Sequence, residues 1–115
     1  MATYSERSTI LKGLGYEDYP FYLKSPLWYT IKQRVFAEKG LKCVLCGHSA
    51  KVVHHLYYSP ENLSGESVDG LEPLCNRCHS RVELDRFGQK RSLQEAQITY
   101  TRLLGEAKRR HRKDF

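Results

Sequence analysis

All four cysteines of the chain lie between Cys43 and Cys78, in two hooks: Cys43-Val44-Leu45-Cys46 and Cys75-Asn76-Arg77-Cys78. His79 follows the second hook, and Val53-His54-His55-Leu56 lies between the two. Paired Cys-x-x-Cys hooks hold one tetrahedral zinc through four thiolates at about 2.3 Å. Such an ion closes two distant loops onto each other. It brings the enclosed histidine pair towards the histidine after the last cysteine. The chemistry implied is a structural zinc that supports a second, imidazole-based site.

Two other readings of the cysteines are weaker. Cys75-Asn76-Arg77-Cys78-His79 matches the string that attaches c-type haem, but this leaves the first hook without a purpose and requires export. A thioredoxin-like redox motif requires a βαβ setting, and the pattern around the hooks offers none. For His54 and His55 the plain alternative is a solvated or zinc-supporting histidine. Neighbours on a strand point to opposite faces, so one of the pair meeting a metal leaves the other aimed elsewhere.

The chain has 115 residues, 40% of them apolar, and a mean hydropathy of -0.61. That suits one soluble domain, residues 1–115, with a modest core. No apolar run is long enough to span a membrane. Met1-Ala2-Thr3-Tyr4-Ser5-Glu6-Arg7 lacks the pattern of a secretory signal, so a cytosolic protein with reduced thiols is expected. The net charge of +6 and pI near 9.2 favour a polyanionic partner, most simply nucleic acid. A basic but merely solvated surface reads the same way.

Several elements must position these groups. Ile10, Leu11 and Leu14 suggest a short first helix. The run Tyr16 to Lys24, broken by Pro20, reads as an extended aromatic segment laid on the core. Ser25-Pro26 starts a helix that carries Leu27, Trp28, Ile31, Val35 and Phe36 on one face and ends at Gly40. Lys51 to Tyr58 is rich in β-formers, Ser59 to Gly70 reads as a loop, and Leu71 to Leu74 as a return strand. A helix is expected from Cys75 to about Phe87, capped by Gly88, with His79 and Glu83 on one face. Ser92-Leu93-Gln94-Glu95 is a capping box that opens a long amphipathic helix over residues 92–114. Its basic end carries Lys108, Arg109, Arg110 and Arg112. These cations either complement the helix macrodipole or bind phosphates.

The whole pattern resembles the HNH, or ββα-metal, endonucleases, in the phage and bacterial subgroup with four zinc-binding cysteines. The resemblance covers roughly residues 19–83 and includes Tyr22-Leu23-Lys24-Ser25-Pro26-Leu27-Trp28. It implies an α+β fold. A small zinc-stapled ββα-metal core with its preceding helix would fill 19–88, with a further helix before it and the basic helix after it. It also implies roles. Cys43, Cys46, Cys75 and Cys78 would bind structural zinc. His54 and His79 would hold a catalytic divalent metal, with Glu83 as a further ligand where the family often has histidine. His55 would be the general base. Glu83 would harden the site towards Mg2+ or Mn2+. Gly70 stands where the family motif carries Asn or Asp, with Asp69 beside it. The expected activity is metal-dependent hydrolysis or nicking of DNA. The alternatives are a zinc-bearing nucleic-acid-binding module without catalysis, and a protein-interaction module that uses the long helix.

Overall fold

The computed structural model describes residues 4–113, and 111–113 by their backbone alone. In chain order the elements are α1 (Tyr4–Gly13), α2 (Tyr19–Leu23), α3 (Pro26–Lys39), β1 (Val52–His55), α4 (Pro60–Ser64), β2 (Leu71–Leu74), α5 (Asn76–Glu83) and α6 (Leu93–Lys113). The class is α+β: helices around one two-stranded sheet. Lys51 N–H donates to Leu74 at one end of the strand pair and Leu56 N–H to Gly70 at the other, the crossing order of an antiparallel ribbon. No helix among the described residues is long and apolar enough to cross a membrane. The chain packs as two units. One runs to Gly40 and takes in Val53–Glu72; the other comprises Leu41–Val52 and everything from Pro73 onward.

The first unit is built on α3. Ser25 caps it by accepting from Trp28 N–H, Pro26 occupies the first turn, and Gly40 ends it at φ 95°. Trp28, Ile31 and Val35 face the core, as the 3.6-residue spacing predicts. The aromatic run before α3 is not extended, as expected from Pro20, but forms the short helix α2. Asp18 accepts from Phe21 N–H at 2.8 Å, and proline in a first turn has no N–H to waste. Tyr22 from that helix is fully buried, and its hydroxyl donates to Leu63 C=O at 2.7 Å. Burial, and then repulsion from Tyr16, push its phenol well above the ordinary range. Lys39 fastens the end of α3 by donating to Val68 C=O, Leu71 C=O and the Glu72 carboxylate.

The Ser59 to Gly70 loop contains a helix that its Pro and Gly content hid. Ser59 and Asn62 form a reciprocal capping box that nucleates α4. Asn62 is fully buried, and its amide also donates to Tyr57 C=O at 2.9 Å and Asp69 C=O at 3.2 Å. One side chain therefore ties the start of the loop to its end.

In the second unit, residues 41–50 form a tight knuckle, with Lys42 bridged to Ser49 and Gly47 at φ 81°. Helix α5 starts on Cys75 and ends at Glu83, one turn before the expected Phe87. Leu84 turns extended, and residues 84–90 double back as a hairpin in which Leu84 bridges Lys90. Asp85 drives the change: its carboxylate accepts from Phe87 N–H and Gln89 N–H, a local alternative to helix. Phe87, the expected end of that helix, is 74% exposed. Helix α6 opens on the Ser92–Glu95 cap and buries Ala96, Tyr100 and Leu103.

Candidate metal centre and histidine pair

The thiols of Cys43, Cys46, Cys75 and Cys78 all lie within 4.8 Å of one another. Four sulfurs at about 2.3 Å from a central ion form a tetrahedron with edges of about 3.8 Å. Cys46 and Cys75 Sγ are 3.6 Å apart, close to that edge and far beyond a disulfide bond. The four cysteines are therefore placed to hold one metal ion, and a four-thiolate tetrahedral set fits zinc. The sequence puts them there by two local devices. The Gly47 turn closes the first hook, and the second hook begins at the N-terminus of α5, where Cys78 N–H donates to Cys75 Sγ.

The thiols are unequal. On Cys75, burial alone would raise the pKa; the Cys78 backbone N–H and the thiols of Cys46, Cys78 and Cys43 outweigh it and lower the group to about 7. On Cys78, burial pushes the thiol up, helped by the thiols of Cys75 and Cys46 and by the proximity of Cys43. A bound cation would take the place of the protons that these sulfurs otherwise share. His48, which the sequence reading passed over, lies with Nδ1 3.3 Å from Cys46 Sγ and can donate to that sulfur.

Helix α5 carries the next pair in the same unit. His79 Nε2 lies 3.8 Å from Glu83 Oε1, with the two side chains 35% and 21% exposed. Two donors at about 2.1 Å from one cation can stand at most about 4.2 Å apart, so this pair can share an ion. The i,i+4 spacing read from the sequence is what aligns them. Lys90 Nζ stands 3.8 Å from the other Glu83 oxygen.

His54 and His55 end strand β1 and are 3% and 4% exposed. His55 lies between Trp28, with ring centroids 4.9 Å apart and planes 20° apart, and Tyr58, at 4.8 Å and 30°. Its Nδ1 is 3.3 Å from the Tyr19 hydroxyl. Arg7 completes this cage: its guanidinium carbon is 3.8 Å from the Tyr19 ring centroid and 4.9 Å from that of Tyr58. Neither Tyr19 nor Arg7 stood out as a site residue. The packing expected of the aromatic run was a clue to Tyr19, whereas nothing local marks Arg7.

Gly70 has φ 80°, and a Cβ placed there would lie 2.6 Å from two carbons of the Tyr57 ring. This position cannot take the motif Asn without displacing Tyr57. Asp69 beside it is exposed, and Asn62 holds its carbonyl. Gly70→Asn is therefore expected to destabilise by about 1–3 kcal/mol and to restore nothing. In urea denaturation, Gly70→Asn combined with Tyr57→Ala should cost less than the two single changes added together. Strict additivity would show that the ring is not the obstacle.

Of the basic C-terminal residues, Lys108 and Arg109 are exposed, and Arg110 donates to Leu45 C=O at 3.2 Å. Arg110 therefore ties α6 to the first hook. Arg112 lies outside the residues whose side chains are described.

No protein-family model, curated protein or solved structure matches this chain.

Proposed function

We propose that the protein is a metal-dependent endonuclease of the ββα-metal type that hydrolyses or nicks DNA. The observation that carries this reading is the helix that begins on the second thiol hook and sets His79 beside Glu83, with donor atoms 3.8 Å apart. An imidazole and a carboxylate on the rigid helix that closes a metal knuckle form a half-site for a hard divalent cation. The resemblance adds His54 as a further ligand in this proposal. The ion, Mg2+ or Mn2+, would neutralise charge on a scissile phosphate and stabilise the leaving oxygen.

The chain's own part is proton handling and position. His55 is the general base. In the tautomer that carries its proton on Nδ1, that nitrogen would donate to the Tyr19 oxygen 3.3 Å away, and Nε2 would be the atom that takes the proton from water. Trp28 and Tyr58 fix the plane of the ring. Asn62 does the loop bracing that the missing motif Asn would otherwise share.

Two observations favour a second reading, a nucleic-acid-binding module without catalysis. His55 is only 4% exposed, and Gly70 replaces the motif residue. Nicking of supercoiled plasmid by wild type and His55→Ala, with Mg2+, Mn2+ or no added divalent ion, separates the two. Equal persistence of supercoiled DNA in every arm, together with retained binding, would establish the second reading.

A further inference from the structure

We infer that the hollow between the 84–90 hairpin and α6 binds a single nucleic-acid strand, its phosphates on four arginines and a base on Phe87. This rests on the reading above only for the choice of polymer. The hollow measures about 440 Å³, and its lining includes Arg81, Arg86, Arg91 and Arg102, with Asp85 as its one carboxylate. The Asp85 carboxylate is already engaged by two backbone N–H groups of its own turn. Four guanidiniums line the recess; one of them, Arg102, is paired with Glu106 at 3.2 Å on the exposed face of α6, and the balance of the recess stays positive. Arg91 adds a sharper sign: its Nε is buried and has no hydrogen-bond partner among the described residues. A buried guanidinium donor at the wall of a basic recess suits an anionic acceptor.

Phe87 distinguishes a nucleic acid from a plain anion. It sits at the hairpin tip beside the recess, 74% exposed, with the Arg86 guanidinium 4.8 Å from its ring centroid. The turn that presents it is closed by Leu84 against Lys90 and by the Asp85 cap. An exposed aromatic ring on a closed turn serves poorly as packing and well as a platform. A ligand that alternates anionic groups with flat aromatic ones is a polynucleotide. Stacking of this kind selects unpaired bases, because a duplex hides their faces.

The test uses the full zinc-loaded chain without added divalent ion, and a fluorescein-labelled single strand of mixed sequence read by anisotropy. Inorganic polyphosphate serves as competitor. The variants are Arg81→Gln/Arg86→Gln/Arg102→Gln, all at exposed positions, and Phe87→Ala. For the triple variant, the slope of log affinity against log salt should flatten by about 2. For Phe87→Ala, affinity for the strand should fall about tenfold, with the slope and polyphosphate binding unchanged. Wild-type affinity and slope in the triple variant would overturn the assignment of the recess. Unchanged strand binding in Phe87→Ala would reduce it to a simple anion site and overturn the inference as stated. Absence of nicking by the wild-type chain, with these binding effects present, would sink the nuclease reading and leave the recess standing; nicking by the wild-type chain with no binding effects in the variants would do the reverse.

Discussion

Cys78→Ser should empty the metal centre and unfold the unit built around it. Cys78 is 3% exposed, at the start of α5, with the other three thiols within 4.8 Å. A serine oxygen there is a poor ligand for a soft site, and the three remaining sulfurs do not close a tetrahedron. Structural zinc of this type supplies on the order of 10 kcal/mol or more of folding free energy. A whole domain is typically stable by only about 5–15 kcal/mol. The hydrophobic residues of the second unit, chiefly Leu45, Leu74, Val82, Ala96, Tyr100 and Leu103, make a small core that cannot absorb such a loss. Wild type is expected to carry one zinc per chain by elemental analysis. It should lose helical circular dichroism on chelation and regain it when zinc is returned. Cys78→Ser should show the chelated spectrum from the start. A metal-free Cys78→Ser protein with wild-type ellipticity and melting temperature would refute the structural role.

His55→Ala and His79→Ala should both abolish plasmid nicking, but in different ways. Loss of a general base costs about 10²- to 10⁴-fold in rate, and added metal does not recover it. Loss of a ligand weakens the hold on the cation, so activity in His79→Ala should return in part as Mg2+ or Mn2+ is raised. Glu83→Gln should behave as His79→Ala does, because the amide keeps the shape of the side chain and loses its charge. The pattern across a metal titration is therefore the readout. If His55→Ala nicked at the wild-type rate, the proton would be handled elsewhere and the assignment would fail. If His79→Ala and Glu83→Gln showed the wild-type metal dependence, neither would be a ligand.

Features written in a few consecutive residues were readable in advance. Ser25-Pro26 and Gly40 bound α3, the Ser92–Glu95 cap opens α6, and the cysteine hooks announced their own cluster. The alignment of His79 with Glu83 followed from helical pitch alone. Errors arose where a short polar side chain competed for the backbone. Asp18 turned an apparent extended run into α2, Ser59 and Asn62 built a helix inside a loop, and Asp85 cut α5 short and turned Phe87 outward. Each is a decision worth about 1 kcal/mol, which hydrophobic periodicity does not register. Contacts distant in sequence were hidden for a different reason. Arg7 among the tyrosines, and Arg110 on the Leu45 carbonyl 65 positions away, are fixed only once the chain has folded.

The sole tryptophan of the chain lies nearly parallel to His55, with ring centroids 4.9 Å apart. An indole in van der Waals contact with an imidazole has its emission quenched when that imidazole gains a proton. The protein therefore contains an optical probe of its own proposed base. Titrating Trp28 fluorescence against acidity would follow the charge on that ring without labels, and without substrate.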